Sequence, residues 1–250
     1  MNYKLLALDI DETITTGGSH MPSDTVLHAL ENASKKMTIL FVTARSENYF
    51  LEFLKNIDIP QGYHVVENGA KILNPDGTYE YHLSIPDEQV QEILNVTEPY
   101  FLETGFLSNH NWDDDGDATK YDGAISGLSF TCTTQQQAYL LRSAVRELPH
   151  EYALYIGNHW SNTKWVAVLL FHKDATKGNG MRYVQKKLNI SKEETIAVGD
   201  GATDVTMFLA AGVGIAMGNA EEKVKQAADY ICPSVDDDGL ATAIETYILR

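Results

Sequence analysis

Short apolar runs of strand length alternate with amphipathic stretches of helical length at both ends of this chain, and the alternation breaks off in the middle. Leu5-Leu6-Ala7-Leu8 reads as a buried strand and residues 23–36 as a helix opened by Pro22 and Ser23. Residues 38–42 read as a second strand and residues 46–56 as a second helix. Past Lys173 the rhythm resumes, with helices at 178–188, 205–210 and 221–228, strands at 196–198, 213–215 and 230–231, and a last helix from Gly239 onward. Strands that are apolar throughout need cover on both faces, which a parallel sheet between two helical layers supplies. The two distant sets of units join most simply as one sheet built from both ends of the chain. The expected fold class is therefore α/β, a doubly wound, Rossmann-like parallel sheet carrying an insertion.

Residues 71–73 and 78–82 flank Asn74-Pro75-Asp76-Gly77, a turn sequence, and predict an antiparallel hairpin at one edge. Between residues 85 and 172 the pattern changes to helix 87–103, strands 106–111 and 124–133, helix 135–148, and strands 152–156 and 164–171. That αββαββ order predicts an inserted α+β module, an antiparallel sheet with two helices on one face. The expected division is a core of residues 1–84 and 173–250 with a module of residues 85–172 set into it.

Charge excludes several classes of partner. With 35 acidic and 19 basic side chains the net charge is −16, and no Lys/Arg-rich run offsets it, so nucleic acid is not an expected partner. The longest apolar stretches, residues 5–8 and 166–171, fall far short of the roughly 20 residues of a membrane span. The N-terminus runs into Asp9-Ile10-Asp11-Glu12 without room for a secretory leader, and Cys132 and Cys232 stand far apart and alone. A cytoplasmic location is expected, with no membrane contact and no signal for oligomeric state.

In an open parallel sheet the reacting groups gather at the carboxyl ends of the strands. Four such ends carry polar groups here: Asp9-Ile10-Asp11-Glu12-Thr13, Thr43-Ala44-Arg45, Lys177-Gly178 at the return from the insertion, and Gly199-Asp200-Gly201-Ala202-Thr203-Asp204. Asp9 and Asp11, two apart on extended chain, face one way and can address one centre. Crowding them with Asp200 and Asp204 is costly unless a divalent cation compensates, and Mg2+ suits an all-oxygen site that bridges to a phosphate. Thr43 and Lys177 would give that phosphate a hydroxyl donor and a positive charge. Arg45 reads equally as a surface residue or a substrate contact. Asn68-Gly69 reads as a turn.

Together these residues resemble the four motifs of haloacid dehalogenase superfamily phosphatases. Glu67-Asn68-Gly69-Ala70 and Gly218-Asn219-Ala220 are similar to its Cof-type branch, in which a cap is inserted between the second and third motifs. The resemblance implies a Mg2+-dependent phosphatase for a small phosphorylated metabolite, a sugar phosphate or phospho-acid, with the inserted module as the cap that selects substrate. It implies Asp9 as nucleophile, Asp11 as general acid and base, and Thr43 and Lys177 as phosphate ligands. Asp9, Asp200 and the Asp11 carbonyl would hold the metal, with Asp204 supporting them. It also implies that Asn68 and Gly69 line the substrate entrance. Two positions depart from the pattern: Glu12 stands where the family usually has Gly, and Thr203 where it usually has Asn. A sugar phosphomutase, or a non-catalytic module binding metal and phospho-ligand, would draw on the same residues.

Three other features weigh less. Gly212 to Gly218 lacks the spacing and acidic partner of a dinucleotide fingerprint. The acidic run from Asn111 to Asp122 is loosely like a calcium loop but sits between expected strands, which favours a solvated hairpin. Trp112, Trp160 and Trp165 all fall in the insertion, where two are expected to pack and one to face substrate.

Overall fold

The computed structural model describes residues 3–16, 21–108, 111–113, 124–159, 162 and 164–248. Its central sheet holds β1 (Leu5–Leu8), β2 (Thr38–Phe41), β11 (Thr195–Gly199), β12 (Val213–Ala216) and β13 (Tyr230–Ile231) in the order β13-β12-β11-β1-β2. Every pairing is parallel. Segments from both ends of the chain therefore meet at β1, which has β2 on one side and β11 on the other. Leu6 and Leu8 pack into one buried cluster with α1 (Asp24–Ser34) and α8 (Gly239–Ala243). Leu5 and Ala7 pack into the other with α5 (Lys177–Leu188) and α6 (Val205–Ala210). Apolar residues at every position of β1 are thus explained by burial on both faces.

Helix starts follow side-chain caps. Ser23, Thr134 and Thr176 accept hydrogen bonds from the amides of Val26, Gln137 and Asn179, each satisfying a donor that the first helical turn leaves free. The Thr176 cap sets Lys177 as the first residue of α5. The expected helix at 221–228 is only the short α7 (Glu222–Lys225), and α8 continues as a π-turn over Ile244–Ile248.

The hairpin of β4 (Lys71–Leu73) and β5 (Tyr79–His82) joins β3 (His64–Val66) in a three-stranded sheet at the β2 edge, linked by a Val42–Val65 bridge. His64 is buried there, stacked on Phe41 at 5.3 Å, and its Nδ1 accepts the Phe41 amide at 3.3 Å. Burial pushes its pKa down to about 3. The unfolded chain takes up a proton below its ordinary value while the folded chain does not, so this group lowers stability as pH falls from 6.5 toward 3, by about 2 kcal/mol at pH 5. His64→Leu is expected to be less stable than wild type at pH 8, through the lost acceptor, and to close about 2 kcal/mol of that gap at pH 5 in urea titrations. A constant gap would show that His64 protonates freely in the folded state.

The insertion holds α3 (Asp87–Thr97), α4 (Gln135–Arg146) and a second sheet of β6 (Glu103–Ser108), β7 (Asn111–Asp113), β8 (Gly127–Cys132), β9 (Tyr152–Asn158) and β10 (Val166–His172), ordered β7-β6-β8-β10-β9. The expected αββαββ order is in fact αβββαββ. Ser108 lies opposite Asn111, so the run read as one strand over 106–111 is two antiparallel strands, β6 ending at Ser108 and β7 starting at Asn111. One face of this sheet packs on α3 and α4 through Phe106, Leu128, Phe130 and Val168. The other packs Leu107, Phe171 and Tyr155 against Ala70 and Ala175 of the core. Trp165 is half-buried with its ring edge against His159 at 5.5 Å, which is packing. Trp160 and residues 114–122 of the acidic run lie outside the described residues. Cys132 and Cys232 are buried free thiols, as their spacing implied.

Candidate active site

Asp9 follows the last residue of β1, Asp200 follows β11 directly, and Thr43 stands two residues past β2. These are the strands on either side of the topological switch, so the fold converges the sequence-derived residues at one end of the sheet. Lys177 joins them from α5. Its Nζ lies 2.8 Å from Asp9 Oδ1 and 2.6 Å from Asp204 Oδ1, with all three side chains at least nine-tenths buried. The Ile10 amide also donates to Asp9 Oδ1 at 2.7 Å. Both ties fall on one oxygen, which leaves Oδ2 free of donors among the described residues.

Asp204 is occupied on both oxygens. Oδ1 accepts from Lys177, and Oδ2 accepts the amides of Asp200 at 3.0 Å and Gly201 at 2.8 Å. It therefore fixes the loop that presents Asp200. A side chain at Gly199 would strike the Asp204 carboxylate, so the close approach requires glycine there. Thr203, the second departure from the family pattern, donates its hydroxyl to no described residue; its carbonyl accepts from Thr206 at 2.8 Å.

One lysine does not balance this many carboxylates. Desolvation, then the Asp204 charge, push the Asp9 carboxyl well above its ordinary value despite Lys177. The same two causes push Asp200 to about 7. Burial disfavours the Lys177 ammonium, but Asp204 and Asp9 outweigh it and hold the group above the usual lysine range. Asp9, Asp200 and Asp204 each bring an oxygen within 4.8 Å of the others. An all-oxygen donor set with uncompensated negative charge fits a hard divalent cation such as Mg2+.

Asp11 and Arg45 meet in a way the sequence left open. Asp11 is the most exposed acid of the group, its side chain 60% accessible, and the Arg45 guanidinium forks onto it with Nη2 at 2.6 Å and Nε at 3.1 Å. Arg45 lies across the Phe53 ring at 5.2 Å, and its amide donates to Thr43 Oγ1 at 3.0 Å. Thr43, buried, keeps its hydroxyl proton available. Glu12 has φ 57°, the left-handed region, which accounts for glycine being usual there; the Asn219 amide group holds its carbonyl at 2.9 Å.

Asn68 and Gly69 are buried behind the site rather than open to an entrance. Asn68 Nδ2 donates to the Ala175 carbonyl at 3.1 Å, while its Oδ1 has no hydrogen-bond partner. Gly69, at φ 103°, packs against the Thr176 backbone where a Cβ would overlap it. Both brace the start of α5 that carries Lys177. Beside them runs a polar network absent from the sequence reading. Lys71 Nζ sits 3.0 Å from Glu67 Oε1 and 3.4 Å from Glu47 Oε2, Ser126 of the insertion donates to Glu67 Oε2 at 2.5 Å, and His82 Nε2 contacts Ser126 Oγ at 2.6 Å. Glu67 and Lys71, four apart in sequence, were the only legible signal of this tie between insertion and core.

With this geometry in place, comparison with known proteins is decisive at one point. The sequence model of the haloacid dehalogenase-like hydrolases matches residues 6–123 and 106–244. The chain belongs to that family. It is an enzyme, a hydrolase of the phosphatase class. It is 25% identical over 222 residues to Phosphatase YwpJ of Bacillus subtilis (strain 168), covering 89% of this chain and 73% of that one. A haloacid dehalogenase-like hydrolase from B. subtilis shares the fold with a TM-score of 0.84, at 21% identity, over 98% of this chain and 99% of its own. The subclass IIB sugar phosphatase BT4131 matches with a TM-score of 0.76 at 25% identity, over 98% of both chains. Among the described residues no helix is long and apolar enough to cross a membrane.

Proposed function

We propose that this haloacid dehalogenase-like hydrolase is a Mg2+-dependent phosphatase that cleaves the phosphomonoester of a small sugar or related phospho-acid through an aspartyl-phosphate. The observation that carries the reading is the buried Asp9 carboxylate, held by Lys177 and Ile10 on one oxygen and open on the other. The likeness to a sugar phosphatase supports the substrate class. Residues 1–84 and 173–250 form the catalytic core in this reading, and residues 85–172 the cap that selects substrate and excludes water on closing.

Asp9 Oδ2 attacks phosphorus in line while the bond to the leaving oxygen breaks, and Asp11 gives that oxygen a proton. Asp11 then takes a proton from water, which attacks the aspartyl-phosphate, frees inorganic phosphate and restores the Asp9 carboxylate. Thr43 and Lys177 hold the other phosphoryl oxygens, so the protein's main contribution is position and charge. The Arg45 fork keeps Asp11 at the site until substrate takes the guanidinium's place. Asp9, Asp200 and the Asp11 carbonyl would hold the cation, with Asp204 orienting Asp200 from behind. The cation, when bound, neutralises charge on the transferring phosphoryl group.

The test is phosphate release from a panel of sugar phosphates and phospho-acids, with Mg2+ and with chelator. Wild type is expected to turn over at least one member only with Mg2+, and Asp9→Asn to lose about a thousandfold or more in kcat. Release that ignores chelator, or survives in Asp9→Asn, rules the reading out.

A further inference from the structure

A cavity of about 400 Å3 lies between the insertion and the core, walled by Tyr139 and Arg142 of α4, Tyr155 of the edge strand β9, and Ala202 and Lys223 of the core. Its volume suits a small metabolite. Ala202 is two residues beyond Asp200. Tyr155 lines the cavity and also packs against Ala70 and Ala175, which flank the start of α5 that carries Lys177.

The charge on the wall is unusual for this region. Residues 84–172 carry 12 acidic and 4 basic side chains, yet two of the four, Arg142 and Arg146, stand one turn apart on α4. Like charges at that spacing weaken a helix by about 0.2–0.5 kcal/mol unless an anion joins them. Arg142 lies over the Tyr139 ring at 5.2 Å and, among the described residues, pairs with no carboxylate. Lys223, across the cavity, is already paired with Glu221 at 2.8 Å. Arg142 also borders a second cavity with Arg146, where Lys173 is already paired with Glu151 at 3.8 Å, so the two α4 arginines are the cations on this wall left without a carboxylate among the described residues. A guanidinium stacked on a ring and free of an internal partner is suited to a planar, bidentate carboxylate or a second phosphate.

We propose that this cavity receives the leaving group and that Arg142 reads a second anionic group at its far end, so the preferred substrates are phosphomonoesters that also carry a carboxylate or second phosphate. The proposal rests on the phosphatase reading and narrows its substrate class.

Matched pairs test it, with Mg2+ present: 3-phosphoglycerate against glycerol 3-phosphate, and 6-phosphogluconate against glucitol 6-phosphate. Within each pair only the end group changes, from carboxylate to hydroxymethyl. p-Nitrophenyl phosphate serves as a substrate with no second anion. Wild type should favour the carboxylate member of at least one pair by about tenfold in kcat/KM. Arg142→Ala should raise the KM of that member by the same factor and leave p-nitrophenyl phosphate hydrolysis within about twofold. Arg142→Lys, charged but without the fork, should fall between. No carboxylate preference in either pair, or a preference that survives Arg142→Ala, overturns the proposal while p-nitrophenyl phosphate hydrolysis leaves the phosphatase reading standing. No hydrolysis of any compound overturns both.

Discussion

Lys177→Met is expected to destabilise the metal-free protein by about 3–5 kcal/mol, the loss typical of removing one partner from a buried ion pair. The Lys177 side chain is 2% exposed, and its ammonium is the cation in contact with both Asp9 and Asp204. Methionine fills a similar volume, so the effect is electrostatic: two buried carboxylates lose their counter-charge and must take up protons or leave the interior. At about 2–4 °C per kcal/mol for a chain of this size, the melting temperature should drop by roughly 10 °C. Pairing the change with Asp204→Asn removes one of the stranded charges and should recover a substantial part of the loss, a coupling measurable in a double-mutant cycle. Activity should stay absent in both variants, because the phosphoryl group has lost its cationic ligand. A loss below about 1 kcal/mol would mean that Lys177 does not balance charge in this interior.

Mg2+ should stabilise the protein strongly at neutral pH and weakly in acid. In the metal-free fold Asp200 sits at about 7 against an ordinary value of 3.8, chiefly through desolvation and then Asp204. Between those two values the folded chain holds a proton that the unfolded chain has released. Stability of the metal-free protein therefore falls as pH rises through that window, by at most about 4 kcal/mol for this group. Asp9 acts in the same direction, and His64 opposes them below pH 6.5. A cation that replaces the proton at pH 7.5 reverses the penalty, whereas at pH 5 it must first displace the proton. Asp200→Asn should raise the metal-free melting temperature at pH 7.5 by several degrees and abolish most of the Mg2+ response. A Mg2+ shift equal in wild type and Asp200→Asn would place the ion elsewhere.

Much of this site was legible in sequence because its parts sit at strand ends. Asp9, Thr43 and Asp200 each follow an apolar run whose direction and burial are fixed by its composition, so locating the strands located the groups. Glu12 was legible as a departure, and its φ of 57° supplies the reason glycine is usual there. Side-chain geometry was not legible. The Arg45 fork on Asp11 depends on a rotamer, and the buried chain from Lys71 through Glu67 to Ser126 and His82 joins residues dozens of positions apart. The extra strand β7 was missed because it is only three residues long and starts so close to the end of β6 that the two read as one run. Asn68 and Gly69 read as a turn, yet they are buried because the start of α5, far off in sequence, packs on them.

The central claim is that Asp9 carries the phosphoryl group during turnover. Rapid acid quench of the wild type with a labelled substrate and Mg2+, followed by proteolysis and mass spectrometry, tests it directly. The label should sit on the peptide containing Asp9, appear at the rate of the burst of released alcohol, and vanish in Asp9→Asn. Full turnover with no label on that peptide at any quench time, and with phosphate release retained in Asp9→Asn, would contradict it.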